Sequence, residues 1–168
     1  MQASAPEIVF GSSEGGLYLG FGGRATHRVC QTADRLVADY LAAHRDQPKV
    51  VLDLSDCTWV DSTFAGWLLG LRKRLGRHPD RGLLLSGCSD LCRDSLDKMH
   101  LGSMFEYVDV ARPEEVGVVA CEGSDTPDKE TLELMAQAHQ QLASLDGENQ
   151  AVFGPIADML QRQLRTAK

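Results

Sequence analysis

Apolar residues along this chain switch between two spacings, and the switches mark its elements. Residues 7–10 and 17–21 are short apolar stretches, and in the second Leu17, Leu19 and Phe21 alternate onto one face. Period-two alternation predicts two strands, joined by turn residues within 11–16 and ended by Gly22-Gly23. Val29, Ala33, Leu36, Val37, Tyr40 and Leu41 then recur at helical spacing, predicting an amphipathic helix from about Thr26 to His44. Residues 50–54 are too apolar for a one-sided strand and read as a strand buried on both faces, followed by an acidic turn. Phe64, Trp67, Leu68, Leu71 and Leu75 make the next helical stripe, closed by Gly76 and Pro79. Leu83-Leu84-Leu85 is another strand bounded by glycines. Ser89 or Asp90 caps a helix with the stripe Leu91, Cys92, Ser95, Leu96 and Met99. Residues 105–108 read as a short last strand, and Pro113-Glu114-Glu115 as the first turn of a short helix. Alternation of this kind builds an α/β fold, a mixed sheet of about five strands with helical crossovers.

Past Gly123 the pattern changes. Residues 124–127 read as a linker ending in a cap followed by Pro127. Leu132, Met135, Ala138, Leu142 and Leu145 run at spacings of three and four, Asp146-Gly147 breaks the run, and Phe153, Ile156, Leu160 and Leu164 resume it. This predicts a helical hairpin, with the second helix starting near Gly154 or kinked at Pro155. The chain therefore divides into a first domain, 1–123, and a hairpin extension, 124–168. The two stripes need cover. They pack on each other, on the first domain as a lid, or on a second copy, and a homodimer through the hairpin is the simplest symmetric solution.

Composition narrows the function classes. The 168 residues suffice for one domain and an appendage. A net charge of -7 argues against a nucleic-acid surface. The one basic cluster, Arg72, Lys73, Arg74, Arg77 and His78, falls where a helix ends, where cations complement the dipole. No apolar run reaches the roughly 20 residues of a spanning helix, so no membrane insertion is expected. No signal peptide is visible in 1–6. Five scattered cysteines, Cys30, Cys57, Cys88, Cys92 and Cys121, then read as reduced thiols of a cytoplasmic protein. Cys88 and Cys92 fit one helix face, but a closed metal site needs four ligands, so neither metal nor other cofactor is expected. Asp53, Asp56 and Asp61 read as turn and cap residues. The five histidines have no evident serine or cysteine partner, and no glycine-rich piece ends in the Lys-Ser/Thr of a phosphate loop.

Asp61 and Ser62 stand where a turn meets a helical pattern. Free amides and the positive end of the helix dipole favour added negative charge there. Ser62 is thus either an ordinary N-cap or a place to carry a phosphate or dock an anion.

Val51-Leu52-Asp53-Leu54-Ser55, Val60-Asp61-Ser62-Thr63, Gly66 and Leu68-Leu69-Gly70 together resemble the STAS family, the bacterial anti-sigma-factor antagonists, over about 7–120. The resemblance implies a non-enzymatic binding module. Ser62, with Thr63 as the alternative, matches the serine that a partner kinase phosphorylates, that kinase being the anti-sigma factor. Asp61, Ser62, Thr63, Phe64 and Gly66 match the docking turn. It also implies a PP2C-type phosphatase to reset the switch. The chain departs from the family at three points: 22–26 holds no acid, Phe64 and Ala65 replace a glycine and a bulkier aliphatic residue, and the hairpin is extra. A STAS scaffold or subunit of a stress-sensing or transport assembly, without phosphorylation, is the alternative. A small thiol-dependent α/β enzyme using Cys88, Cys92 or Asp61 is the third reading.

Overall fold

The computed structural model describes residues 5–13, 15–46, 48–78, 81–121 and 126–166, with backbone alone at 77 and 78. β1 (Glu7–Ser13) and β2 (Gly16–Ala25) form an antiparallel hairpin. α1 (His27–Ala43), β3 (Lys49–Val60), α2 (Ser62–Leu75), β4 (Arg77–His78), β5 (Arg81–Ser86) and α3 (Asp90–Lys98) follow. A 3-10 turn (Gly102–Met104) leads to β6 (Glu106–Val108) and β7 (Val116–Ala120). The C-terminal pair is α4 (Lys129–Ala143) and α5 (Gly147–Thr166). The sheet is mixed, in the order β5-β3-β2-β1-β7, with β4 and β6 both on the outer edge of β5. β2, β3 and β5 run parallel through helical crossovers, as the alternation predicts.

Several elements differ from the pattern reading. Gly22-Gly23 do not end β2. Register shifts between Gly20 and Gly22 and between Gly23 and Arg24 absorb the irregularity, and the strand runs on to Ala25. Ser55-Asp56 do not turn the chain either, because β3 continues to Val60. Each extension gives the other its ladder partner, and Arg24 lies 4.2 Å over the Trp59 ring where the two end. Residues 113–115 start no helix. They lead into β7, so 105–108 holds the penultimate strand, and β7 pairs antiparallel with β1. In α3, Leu91 faces solvent, while Cys92, Ser95 and Leu96 face the core. α5 begins at Gly147, not near Gly154, and Pro155 lies inside it. The cap of α4 is Asp128, which accepts from the Thr131 amide, not Thr126. Ser124, Asp125 and Pro79 and the side chains of Arg77 and His78 lie outside the described residues.

The bounds of α1 follow the stripe closely. Thr26 Oγ1 accepts from the Arg28 amide at one end, and the His44 amide closes on Tyr40 O at the other. Gly76, with φ of 77°, ends α2 in a conformation that side chains resist.

The main core lies on one face of the sheet. Ile8, Leu19, Phe21, Val50, Leu52 and Leu54 meet α1, α2 and α3 there. On the other face, Tyr18, Val51 and Leu84 pack with Val9, Val108 and Val110, while the Ser86 hydroxyl donates to Val110 O and accepts from the Val110 amide. α4 and α5 form a third layer over α2, and Leu142, Ala143 and Phe153 belong to the main core. α2 is therefore enclosed on two sides. Every residue from Thr63 to Leu69 is buried, where a surface helix would keep a polar face.

Candidate functional site

The end of β3 delivers Asp61 to the start of α2. The Asp61 amide donates to Ala25 O at 3.0 Å, which ties the ends of β2 and β3 together. Its carboxylate accepts from two amides, Phe64 N at 2.8 Å and His27 N at 3.0 Å. Asp61 is thus the N-cap of α2, and Ser62 is its first helical residue, not its cap. One carboxylate fixes the starts of both α1 and α2. Burial pushes the Asp61 carboxyl above its ordinary value, against the pull of the Phe64 and His27 amides and the His27 ring. That ring, with Nδ1 3.9 Å from Asp61 Oδ2, stands beside a turn whose neighbouring segment 22–26 holds no acid.

Freed from capping, the Ser62 hydroxyl turns to α4. Ser62 Oγ lies 2.9 Å from His139 Nε2, and His139 Nδ1 lies 2.7 Å from Met135 O. A carbonyl only accepts, so in the neutral ring Nδ1 carries the hydrogen and Nε2 accepts from Ser62. His139 is 4% exposed. A backbone carbonyl orients the ring, where a hydrolytic triad would place a carboxylate. His139 thus has a serine partner that no sequence spacing reveals.

α4 reaches Ser62 because the facing surface of α2 is flat. A Cβ on Gly66 would stand 2.1 Å from Ala138 O, inside any tolerable contact. One turn later, a Cβ on Gly70 would make only an ordinary contact with the Gln141 side chain. At the far end the hairpin is clasped to the α3 corner: Asn149 Nδ2 donates to Met99 O at 3.0 Å, and His100 bridges Asp146 and Glu148. Within one chain, the hairpin is a lid on α2.

Of the five residues that the family resemblance marks out, Thr63, Phe64 and Gly66 are therefore buried, and Asp61 and Ser62 are half-buried. Phe64 fills the core edge-on to Phe21, with ring centroids 5.1 Å apart. The open side of the turn is a cleft of about 450 Å³ between 58–62 and Leu91, Asp94, Ser95 and Lys98 of α3 with its C-cap Met99. Trp59 and Leu91, 40% and 63% exposed, stand at it as large apolar side chains facing solvent. The remaining acids go elsewhere. Asp53 accepts from the Tyr18 hydroxyl and from Ser55, and Asp56 pairs with Arg112. Among the described residues no group of three His, Cys, Asp or Glu has a metal-binding arrangement, and no helix is long and apolar enough to cross a membrane.

No protein-family model matches the chain, and no curated protein matches it. Among solved structures, the chain is similar to an uncharacterized protein of the DUF3478 family with a SpoIIAA-like fold from Shewanella loihica PV-4. That likeness has 15% identity and a TM-score of 0.42, over 64% of this chain and 87% of the other.

Proposed function

We propose that this chain is a non-enzymatic regulatory module of the STAS type, docking a serine kinase of the anti-sigma-factor class at the Asp61–Ser62 turn. The observation that carries the reading is the half-open turn: α4 closes its α2 side, and the cleft beside Trp59 and Leu91 stays open. The partner docks in that cleft with Trp59 and Leu91 as apolar anchors. Phosphate on Ser62 adds about -1.5 to -2 charges beside the half-buried Asp61 carboxylate, which disfavours a closed interface and releases the partner. A PP2C-type phosphatase resets it. Thr63, 3% exposed, is the poorer acceptor.

The test uses the full chain, its Ser62→Asp variant and its Leu91→Asp variant as baits in lysate of the native host. A captured protein that transfers phosphate from ATP to Ser62, and that both variants lose, supports the reading. Capture that ignores both substitutions, or phosphate mapped away from Ser62, overturns it. One observation favours the scaffold reading without phosphorylation: the Ser62 hydroxyl is already engaged by His139. Association unaffected by Ser62→Asp but lost in Leu91→Asp is that reading's signature.

A further inference from the structure

Three of the five thiols meet where β3, the loop after β5 and α3 converge. Cys92, fully buried, touches both Cys57 and Cys88 through its sulfur. The backbones of Cys57 and Cys92 are tied through one side chain: Ser89 Oγ donates to Cys57 O at 2.7 Å and accepts from the Cys92 amide at 3.2 Å. Cys57 is 1% exposed, while Cys88 is half-buried and reachable from solvent. Cys88 immediately precedes the Ser89 cap of α3, and Arg93 stands beside it.

The three members are not equivalent. Hydrogen bonding from Cys92 holds the Cys88 thiol below its ordinary value, with Arg93 adding to the effect. The same kind of bond lowers Cys57 and raises Cys92, so Cys92 keeps the proton and donates it to either neighbour. An accessible sulfur with thiolate character next to a protonated thiol is the arrangement of an oxidisable pair.

We propose that Cys88 and Cys92 form a peroxide-sensitive disulfide site. The Cys88 thiolate attacks one oxygen of hydrogen peroxide, the O–O bond breaks, and hydroxide leaves and takes up a proton as water. Cys88 is left as a sulfenic acid, S–OH. The Cys92 sulfur then attacks the Cys88 sulfur, the S–O bond breaks, and the departing hydroxide takes the Cys92 proton and leaves as water. One peroxide is reduced, two thiol sulfurs are oxidised, and the S–S bond joins the loop after β5 to the first turn of α3.

The inference is independent of the Ser62 reading. The test treats reduced full-length protein with one equivalent of hydrogen peroxide, blocks remaining thiols with N-ethylmaleimide and digests with trypsin. Cleavage after Arg81 and Arg93 leaves Cys88 and Cys92 in one peptide and Cys57 in another. The expected result is the 82–93 peptide two hydrogens lighter, without maleimide, and Cys57 fully alkylated. In Cys92→Ser the sulfenic acid on Cys88 persists and is trapped by dimedone. Alkylation of all five thiols after peroxide overturns the proposal, as does a Cys57–Cys92 linkage or a disulfide between two copies at Cys88. The wild-type digest alone decides the matter if the serine variant does not fold.

Discussion

Ser62 Oγ and His139 Nε2, 77 positions apart, lie 2.9 Å from each other. The contact joins the first residue of α2 to the middle of a helix in the appended hairpin. It replaces a solvent-facing hydroxyl at a helix start with one held by a buried ring. Whatever acts on Ser62 therefore acts on the hairpin as well. A phosphate placed on that oxygen would remove the hydrogen that it shares with His139, and would therefore disturb the lid through the same atom.

His139→Ala removes the ring that orders Ser62 and leaves a cavity against Phe153, whose centroid lies 6.1 Å away. Loss of the hydrogen bond costs about 1 kcal/mol, and the cavity adds to it. Amide exchange in α4 should rise well above wild type, while β3 and β5 keep their protection. Equal rates throughout would mean that the Ser62 contact does not hold the hairpin.

Asp61→Ala should destabilise more than Ser62→Ala. Asp61 serves two amides, Phe64 N and His27 N, whereas Ser62 makes one side-chain bond. Loss of the cap costs roughly 1 kcal/mol and an orphaned half-buried amide at His27 about as much again, against about 1 kcal/mol for Ser62→Ala. Urea denaturation of both variants checks the order, and the reverse order would return Ser62 to the role of cap.

Leu71→Ala should cost roughly 2–5 kcal/mol, because Leu71 is 1% exposed between α2 and the sheet. Thermal unfolding followed by circular dichroism measures it. A melting temperature equal to wild type would show that α2 does not press this face on the sheet.

The clasp between the end of α3 and the start of α5 should loosen as pH rises. The hydrogen bond from His100 to Asp146, with the charges of Asp146 and Glu148, raises the His100 pKa above 6.5. A raised folded value gives a contribution that is complete below the unfolded value and is lost as pH rises through the folded one. The Asn149 amide and then His100 lower the Asp146 carboxyl below 3.8, so its share is lost only in acid. Amide exchange at 147–150 should be slower at about pH 6 than at about pH 8 after correction for intrinsic rates. His100→Gln should abolish the difference, and a wild-type difference of the opposite sign would refute the clasp.

How legible these features are in sequence depends on where each is decided. The limits of α1 are decided locally, by a stripe and by Thr26 and His44, and they read correctly. The extensions of β2 and β3 are decided by each other across the ladder, so in sequence the first reads as ended by Gly22-Gly23 and the second as ending at Leu54 in an acidic turn. β7 is a five-residue edge strand held by β1, too short for its period to show. The Asp61-Ser62 pair is visible, but which of the two caps α2 depends on the approach of His27 N. His139 left one trace, a polar residue beside the apolar stripe at 135, 138 and 142. Its partner is fixed only when α4 docks on α2.

That docking rests on Gly66, and a single methyl group tests it. Gly66→Ala places a Cβ 2.1 Å from Ala138 O, a backbone atom in mid-helix that cannot step aside without moving α4. The substitution raises the helix propensity of α2 by about 1 kcal/mol, so α2 itself has no reason to unravel. The strain falls on the interface, and the lid should lift: faster amide exchange along α4 and a Ser62 free of His139. Gly70→Ala is the matched control. Its Cβ would meet only the Gln141 side chain at 3.7 Å, an ordinary contact, so it gains propensity without a clash and should leave the hairpin closed or stabilise it. If both variants keep α4 protected as in wild type, the close approach at Gly66 is not what seats the hairpin. If both release it, α4 responds to any side chain on α2, and the specific contact with Ala138 loses its role. Release by Gly66→Ala alone places the seat of the lid at the crossing of Gly66 and Ala138, one helical turn from Ser62.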